Sequence, residues 1–416
     1  MAIFMMTPEE YSNRLQRLVR VTPVEEVSVG EAVGQCLAEA VRAEVPVPPF
    51  DNSSMDGYAV AYRDIAVLAE SSTGSVTLPV SGDIPAGAVP RALRGGTAMR
   101  IMTGSVLPSG ADTVVPVELT DQPPGAGPAP REVTITGHVE QGASIRFRGH
   151  DIERGKMVAS AGERVTPSLL AGVLAAGVAR VLVHRRPRVA VIVTGDELTE
   201  AGESLHLGHI PDSNGPMLAS LVRQAGADIV QQSRSVDRED EFLSLLYKAA
   251  SCADLILTTG GVSAGAFEVV KQAMSIETKD ADSPRMSFVK VAIQPGKPQG
   301  YGTADGTPII GLPGNPVSAF TSFHVFVRPF LSALSGGPGM LSTQPVEVGT
   351  GWVSHQGKAQ VMPVCLVPKA VPSHALGSAS HAIASLHRAD ALALIPLEVT
   401  QVKPGMIVDA IILEGK

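Results

Sequence analysis

The chain has 416 residues, of which 44% are apolar and 18% are charged, and its formal net charge is −8. A chain of this length and apolar content can bury the cores of roughly two to four domains. The negative net charge and an aromatic content of only 4% argue against a general nucleic-acid binder, which needs a basic surface and stacking rings.

Cysteine usage and hydropathy predict a reduced, soluble, cytoplasmic protein. Cys36, Cys252 and Cys365 are far apart in the sequence, so neither a disulfide framework nor a zinc site is expected. The first residues lack the basic start of a signal peptide. The longest apolar run, residues 169–179, is too short to span a bilayer, so we expect no membrane association.

The N-terminal part of the chain predicts short helices followed by an extended segment. Residues 7–10 (TPEE) are typical of a helix start, with a cap, a proline and acids in the first turn. This predicts a helix over residues 7–19. A second short helix is predicted over residues 29–41, and the prolines within residues 45–49 favour extended backbone.

Residues 51–147 predict a β-rich region. Apolar runs are short there, as in residues 76–80 and 133–135, and glycine and proline interrupt them often. Residues 122–131 are rich in proline, glycine and alanine, which predicts an exposed loop.

From residue 188 to residue 334 strands alternate with helices, which predicts a parallel sheet with helices on both faces. Continuous apolar runs in this region indicate strands that are buried on both faces. The predicted strands are residues 189–193, 255–258, 289–293 and 309–312, and the predicted helices are residues 214–224, 239–250 and 317–331.

The remainder of the chain returns to short β-like runs, which predicts a small, separate, barrel-like β domain. These runs are residues 346–349, 360–367, 392–396 and 407–413. The predicted domains are therefore an N-terminal linking domain (1–50 with 145–185), a β-rich inserted domain (51–144), an α/β domain (186–334) and a C-terminal β domain (335–416).

Four predicted strands of the α/β region end in small, polar or glycine-rich loops. In a parallel sheet these loops lie at the carboxyl edge, where ligands bind at the point at which the strand order reverses. The loops are residues 194–197 (TGDE), 258–265 (TTGGVSAG), 294–298 (QPGKP) and 311–316 (GLPGNP).

The four loops carry groups suited to phosphate and magnesium. Glycines allow backbone N–H groups to turn inward as an anion-binding nest, and here they are Gly260, Gly261 and Gly265. Lys297 supplies a cation between two prolines. Oxygen ligands of the kind that Mg²⁺ prefers are Asp196, Glu197 and Glu268. This combination predicts a nucleotide or phosphoester site.

Simpler or different interpretations of the same residues stay open. Asp196 and Glu197 are compatible with a helix cap, and Lys297 with a solvated surface charge. Residues 261–265 (GVSAG) fit the Gly-x-Ser-x-Gly elbow of a serine hydrolase. No His-Gly-Gly oxyanion segment accompanies that elbow, so a hydrolase is the weaker alternative. Its candidate bases are His324, His374, His381 and His387.

Two polar segments lie outside the α/β region. Residues 48–60 (PPFDNSSMDGYAV) concentrate Asp, Asn and Ser side chains, which favours either a sharp corner or the rim of a site for a polar ligand. Residues 100–104 (RIMTG) add a cation and a hydroxyl group.

In this order the segments resemble the molybdopterin molybdenumtransferase family, whose relatives include the E domain of gephyrin. The resemblance covers nearly the whole chain, and the ordered set is far more specific than a single glycine motif. The matching stretches are residues 48–60, 82–87, 100–118, 145–155, 193–198, 210–218, 258–265, 292–299 and 311–319.

The resemblance implies an elongated, four-domain homodimer. Its site would be shared, with the α/β domain of one subunit facing the β-rich domain of the other. The implied reaction is Mg²⁺-dependent: molybdate is inserted into adenylylated molybdopterin and AMP is released. The protein partners that the resemblance suggests are a molybdopterin adenylyltransferase and molybdoenzyme chaperones.

The resemblance also implies roles for individual residues. Asp56 and Thr103 would come from the partner subunit and face the pterin or the nucleotide. Lys297 would lie near molybdate and phosphate. The residues expected to hold Mg²⁺ or to orient water are Glu197, Glu268 and Asp237. The residues expected to contact the cofactor are Gly260, Gly261, Ser263, Gly265, Pro298, Gly314, Asn315, Ser318, Lys358 and Ser380.

The chain departs from the family pattern at several of these positions. Glu268 stands where the family often has aspartate, and Gln294 replaces a frequent lysine. In the loop after Ser235 the family commonly carries paired aspartates, whereas this chain reads VDRED, so Asp237 or Glu239 is left for their role. Lys358 stands where arginine is common, and it keeps the charge but loses the forked geometry.

Two further functions share this resemblance. Enzymes that adenylylate molybdopterin have a similar α/β region but usually lack the β-rich domains. A non-catalytic carrier or scaffold would not need to retain Asp56, Glu197, Lys297 and Ser318. We therefore expect the transferase.

Overall fold

The predicted multidomain architecture, with one α/β domain and several β-rich parts, is confirmed. The structure is a computed structural model that describes residues 5–69, 74–125, 127–261, 270, 273–274 and 285–413. Its larger sheets are one six-stranded sheet of the α/β domain, a five-stranded sheet near the N-terminus and a six-stranded sheet near the C-terminus.

Two pairs of short antiparallel strands link the ends of the β-rich inserted region. Val24–Ser28 pairs with Arg180–His184, and Val41–Arg42 pairs with Met157–Ala159. Helix Pro167–Ala175 contributes its buried residue to the same small hydrophobic core. Chain segments from both sides of the inserted region therefore form one packed unit.

The helix predicted over residues 29–41 is wrong. These residues form turns and single β-bridges, such as that between Leu37 and Val183. Gly34 adopts a left-handed φ of +86°, which a continuing helix does not allow. Val29 and Leu37 are instead both buried in the small core beside the strand pairs.

The first predicted helix is confirmed as Pro8–Gln16. The Thr7 hydroxyl accepts a hydrogen bond from the Glu10 N–H, and the Glu10 carboxylate accepts one from the Thr7 N–H, so the helix starts with a capping box. Tyr11 is fully buried, and its hydroxyl donates to the Gly300 carbonyl at 3.0 Å. The helix thus packs onto the α/β domain.

The inserted region is β-rich, as predicted. Its sheet is mixed, because Val76–Ile84 and Ala98–Ile101 are parallel whereas the other neighbouring strands are antiparallel. Asn52–Ser53 forms a separate pair with Ile145–Arg146. The sheet order is Thr113–Pro116, Gly57–Val60, Ala98–Ile101, Val76–Ile84 and Glu132–Ile135, and the 3₁₀ helices are Tyr62–Asp64, Ala66–Ala69 and Val117–Leu119.

The α/β sheet has four parallel strands and an antiparallel extension at one edge. Its order is Asp228–Ser235, Arg188–Thr194, Leu255–Thr259, Thr307–Leu312, Pro298–Ala304 and Arg285–Lys290. The first four of these strands are parallel to one another. Arg188–Thr194 comes first in the chain, and the next two strands lie on opposite sides of it, Asp228–Ser235 on one side and Leu255–Thr259 on the other. The strand order therefore reverses between Arg188–Thr194 and Leu255–Thr259.

The fully parallel sheet predicted from the sequence is wrong in one respect, because Pro298–Ala304 is antiparallel to both of its neighbours. No apolar run marks this strand. It contains Gly300 and Gly302, and a side chain at Gly302 would overlap the Arg285 carbonyl oxygen of the next strand. The strand predicted at residues 289–293 begins earlier, at Arg285, and ends at Lys290.

Helices cover both faces of this sheet, which explains the continuous apolar runs. Val191 contributes to the core under helix Asn214–Gln224, whereas Ile192 points to the opposite core under helix Glu239–Ala250. Pro316–Leu334 forms one continuous helical segment with a π turn at Phe323–Val327. Among the described residues it alone is long and apolar enough to span a membrane, and 78% of its most apolar window is buried inside the protein.

The C-terminal sheet is joined directly to the α/β domain. Ile293–Gln294 leaves the α/β sheet and pairs in parallel with the first residues of Ala359–Leu366. The C-terminal strands are Gln344–Glu347, Trp352–Val353, Ala359–Leu366, Ala370–Pro372, Ala391–Ile395, Gln401–Val402 and Ile407–Ile412, and the short helix is Ile383–Leu386.

Candidate functional site

A cavity of about 360 Å³ lies at the carboxyl edge of the α/β sheet, at the point where the strand order reverses. Its walls include Thr194 at the end of one central strand and Thr259 at the end of the next. This is the position at which open α/β sheets bind ligands. Six of the predicted site residues line it: Glu197, Gly260, Pro298, Gly314, Asn315 and Ser318.

The described residues of all four predicted loops lie at this edge of the sheet, and residues 262–265 of the second loop lie outside the described residues. Arg285–Lys290 is separated from Thr307–Leu312 by one strand antiparallel to both, so the two run in the same direction. The loop after Lys290, which carries Lys297, therefore lies at the carboxyl edge with the others. For the described residues, the prediction that the four loops share one edge is confirmed despite the antiparallel strand.

Gly260 packs its backbone against the end of the neighbouring strand. Its φ is +89°, and a Cβ atom there would lie 2.7 Å from the Thr194 hydroxyl oxygen and closer still to the Thr194 carbonyl oxygen. The Gly260 Cα atom also lies 3.6 Å from the position of a Cβ atom on Gly314. Only glycine therefore fits at position 260, whereas a side chain at position 314 would make an ordinary contact.

Acidic side chains gather beside the cavity. The carboxylate of Glu197, an exposed residue, lies over Gly195, where a Cβ atom would come within 2.5 Å of Glu197 Oε2. Asp196 Oδ1 accepts a hydrogen bond from the Asp237 N–H at 2.9 Å, which joins the ends of two adjacent strands. Within the described part of the chain, no group of three His, Cys, Asp or Glu side chains is arranged to hold a metal ion.

Hydrogen bonds to buried groups fix the backbone of the loop that carries Lys297. Gln299 is fully buried, and its amide nitrogen donates to the Gly296 carbonyl and to the Ser322 hydroxyl, both at 2.7 Å. The Val291 N–H donates to the Lys297 carbonyl at 2.8 Å. The backbone of the lysine is therefore fixed, whereas its side chain is half-buried and forms no ion pair with any described residue.

The C-terminal domain touches the rim of the cavity through Ser380. The Asn315 side-chain amide donates to the Ser380 hydroxyl at 3.1 Å, and the Val317 N–H donates to the Ser380 carbonyl at 3.2 Å. Lys358 lies outside the cavity wall, immediately before the strand that pairs with Ile293–Gln294. Of the two predicted residues in this domain, only Ser380 contacts a residue of the cavity wall.

Asp56 and Thr103 meet each other but not this cavity. The backbone N–H and the hydroxyl of Thr103 donate to Asp56 Oδ1 at 2.6 and 2.8 Å. These hydrogen bonds, with the backbone N–H as the larger cause, lower the pKa of Asp56 below its ordinary value. Asp56 lines a separate cavity of about 190 Å³ together with Tyr58 and Arg100. Within one subunit the structure therefore keeps the two predicted groups apart.

Three predicted residues, Ser263, Gly265 and Glu268, lie outside the described residues. Gly261 is described and has a φ of +63°, with Val270 directly beside it. Among the candidate bases of the hydrolase alternative, His324 is buried in the core helix, and burial lowers its pKa to about 3.

Sequence reasoning missed Asn214, which links three parts of the cavity wall. Its side-chain amide donates to the Thr259 hydroxyl and to the Gly314 carbonyl. The residue lies in a matched stretch, at the start of a predicted helix. The polar triplet Asp212-Ser213-Asn214 after a short strand was the available signal, but its partners are 45 and 100 positions away.

Comparison with known proteins matches this architecture along the whole chain. Residues 6–177 match the MoeA N-terminal region (domain I and II), residues 190–333 match the probable molybdopterin binding domain, and residues 345–413 match the MoeA C-terminal region (domain IV). The fold and the cavity at its switch point thus define a multidomain protein built around a domain of the molybdopterin-binding type.

Individual relatives support the same assignment. Molybdopterin molybdenumtransferase 2 of Mycobacterium tuberculosis is 40% identical over 404 residues, covering 96% of this chain and 98% of the relative. Molybdopterin molybdenumtransferase of Staphylococcus epidermidis is 30% identical over 426 residues and covers 100% of this chain and 98% of the relative. A molybdopterin biosynthesis MoeA protein from Pyrococcus superposes with a TM-score of 0.75 at 29% identity, covering 99% of this chain and 100% of its own.

The chain belongs to the molybdopterin molybdenumtransferase family. The resemblance predicted from the sequence is confirmed, and the family match does not favour the hydrolase, adenylyltransferase or carrier alternatives.

Proposed function

We propose that this protein inserts molybdate into adenylylated molybdopterin and releases AMP. The observation that carries the proposal is the cavity at the switch point. It combines the glycine-lined ends of two strands, a start of a helix and carboxylates in a chain of this family. This combination suits a phosphoester ligand, because backbone N–H groups at loops and helix starts bind phosphate oxygens and carboxylates bind the Mg²⁺ that accompanies them.

Lys297 is the residue that we propose lies beside the phosphate and molybdate. Cleavage of a phosphoanhydride builds negative charge on the phosphate oxygens, and a fixed cation offsets that charge without reorganising. The anchoring of its loop by Gln299 supports this role, because the lysine backbone is held in place before any ligand arrives. Pro298 and Ser318, which line the cavity, would contact the same ligand.

The donor set fits Mg²⁺ bound mainly through the substrate. Mg²⁺ keeps several waters and uses one or two carboxylates together with substrate phosphates, so a three-ligand protein cage is not required. We propose Glu197 as one ligand, since it lines the cavity, with Asp237 and Glu268 completing the acidic set. Bound Mg²⁺ would neutralise charge on the phosphate oxygens.

The proposal includes a homodimer with a site shared between subunits, in the cytoplasm. Asp56 and Thr103 line or adjoin a cavity made only of inserted-domain residues, and that cavity has no residue in common with the one at the sheet edge. A second subunit that brought this surface to the sheet edge would place Asp56 opposite the nucleotide. The Asp56 carboxylate can accept hydrogen bonds from such a ligand, and the hydrogen bonds from Thr103, which also lower its pKa, hold it in place.

The test is molybdate-dependent nucleotide release. Purified protein is incubated with adenylylated molybdopterin and Mg²⁺, with and without molybdate, and AMP is followed by chromatography. We expect AMP release that requires molybdate. Tight binding without release would contradict the transferase and favour a carrier.

The matched variants are Lys297→Ala at the site and Lys248→Ala on an exposed helix. We expect Lys297→Ala to lose about a hundred-fold or more in rate, as removal of a charge-stabilising group in an active site does. Lys248 is exposed on Glu239–Ala250, so its variant should retain the parent rate. Full activity in Lys297→Ala would refute the assignment of the site.

A further inference from the structure

The Asn214 side chain hydrogen-bonds to two other segments of the cavity wall. It is only 8% exposed and lies in the first turn of helix Asn214–Gln224. Its amide nitrogen donates to the Thr259 hydroxyl at 3.1 Å and to the Gly314 carbonyl at 2.7 Å. One side chain therefore ties the helix start to the end of one strand and to the loop after another.

Thr259 extends this link to the neighbouring peptide. Its hydroxyl accepts from Asn214 and donates to the Pro313 carbonyl at 3.0 Å. Two consecutive carbonyls of the loop, those of Pro313 and Gly314, thus each accept a hydrogen bond, from Thr259 and Asn214 respectively. Neither peptide is among the cis peptides of the described chain, so each N–H points opposite to the carbonyl of the same peptide unit.

The N–H groups fixed in this way are those of Gly314 and Asn315. Neither N–H meets an acceptor among the described residues, and both residues line the cavity. Adjacent backbone N–H groups with fixed directions form a binding position for an oxyanion. The loop therefore offers two donors that are oriented by Asn214 and Thr259 rather than by its own hydrogen bonds.

The side-chain oxygen of Asn214 indicates that this residue does more than fill space in the core. Asn214 Oδ1 is buried without a partner in the described part of the chain. An unpaired buried oxygen costs free energy that a residue used only for packing would avoid. What the side chain provides here is a nitrogen with two hydrogens, and both of them are used.

We propose that Asn214 is a positioning residue, which acts with Thr259 to aim the Gly314 and Asn315 N–H groups at a phosphate oxygen of the substrate. The inference rests on the proposed function for the identity of that substrate, and it deepens that function by naming the donors. It does not require a metal ion.

Two pairs of variants test the inference, each with a matched control. Thr259→Val removes the hydroxyl at nearly constant volume, whereas Thr259→Ser keeps it. Asn214→Ala removes both donors, and Asn13→Ala makes the same change on an exposed helix position. Each variant is measured for melting temperature, for kcat and KM of AMP release, and for the Kd of AMP by calorimetry.

We expect Asn214→Ala and Thr259→Val to lower kcat by about ten- to a hundred-fold while KM changes much less, because the donors act on charge that grows in the transition state. Thr259→Ser should restore most of the rate. The double variant should lose no more than the more affected single one, since both residues act through one loop. Equal losses in Thr259→Ser and Thr259→Val, or parent-like kcat in Asn214→Ala, would overturn the inference.

AMP binding separates this inference from the proposed function. If the parent protein binds AMP but produces none from adenylylated molybdopterin in the presence of molybdate, the proposed function fails. A several-fold weaker Kd in Asn214→Ala would then still support the positioning role. If the parent protein releases AMP and neither the rate nor the Kd responds to Asn214→Ala, the positioning role fails and the function stands.

Discussion

Substitution of Gly260 by alanine gives the sharpest test of how the cavity is built, because Gly202 supplies a matched control. Both glycines have similar left-handed backbone, with φ of +89° at Gly260 and +97° at Gly202. A Cβ atom at Gly260 would clash with Thr194, whereas at Gly202 nothing lies within 4 Å. The two variants therefore share the backbone strain and differ in the clash.

The expected magnitudes follow from these two contributions. Left-handed backbone costs about 1–2 kcal/mol for a residue with a side chain. Forced overpacking adds about 1–3 kcal/mol, and it applies only to Gly260→Ala. The reduced entropy of the unfolded chain is common to both variants and cancels in the comparison. We expect a destabilisation of about 2–5 kcal/mol for Gly260→Ala and about 1–2 kcal/mol for Gly202→Ala.

Differential scanning calorimetry measures these effects. For a domain of this size 1 kcal/mol corresponds to about 3 °C, so the α/β transition should fall by about 6–15 °C in Gly260→Ala and about 3–6 °C in Gly202→Ala. Gly260→Ala should also lose AMP release at a temperature where it is still folded, because Gly260 lines the cavity and the added methyl group would displace the backbone there. Equal shifts in the two variants would refute the packing argument.

Two further predictions concern pH. Thr103→Val removes the hydroxyl donor to Asp56, so the pKa of Asp56, held low in the parent protein, should rise; an unchanged value in a carbon-detected NMR titration would contradict the observed hydrogen bond. A carboxylate whose pKa is lowered by folding stabilises the folded state at pH values above its unfolded pKa. This stabilisation is lost as the pH falls through the pKa of the folded state, and the variant should have less of it to lose. His324 has a pKa lowered from 6.5 to about 3 by burial, so the unfolded state binds the proton first and stability falls as pH drops below about 6.5. His324→Leu should show a smaller fall in melting temperature between pH 7.5 and pH 5, and an equal fall would argue against a buried neutral imidazole.

The central strands and the sheet edge that carries the cavity could be predicted from the sequence because their causes are local in the chain. A strand covered by helices on both faces is nearly continuously apolar, so Arg188–Thr194 and Leu255–Thr259 are visible as apolar runs that end in threonine. The polar and glycine-rich residues that follow each run mark the same edge of the sheet. The family resemblance assigned Asp56 and Thr103 to the same partner-facing surface, but the hydrogen bonds between them are known only from the structure.

Other elements could not be predicted because their causes lie far away in the sequence. Pro298–Ala304 has no apolar pattern of its own, and it is a strand because two neighbouring strands satisfy its backbone. Residues 29–41 were predicted as a helix, but much of their backbone hydrogen-bonds to residues more than a hundred positions later. In both segments long-range hydrogen bonding overrides the local pattern.

The sequence by itself thus determined which polar and glycine-rich loops follow the strands of the α/β sheet, because residue type and local periodicity can be read along the chain. Only the tertiary structure decided how those loops are held. The Asn214 link joins residues 45 and 100 positions apart, and it exists because three segments end at one sheet edge. The directions of the Gly314 and Asn315 N–H groups depend on that link, since a hydrogen bond requires its donor and acceptor to be brought within about 3 Å by the fold.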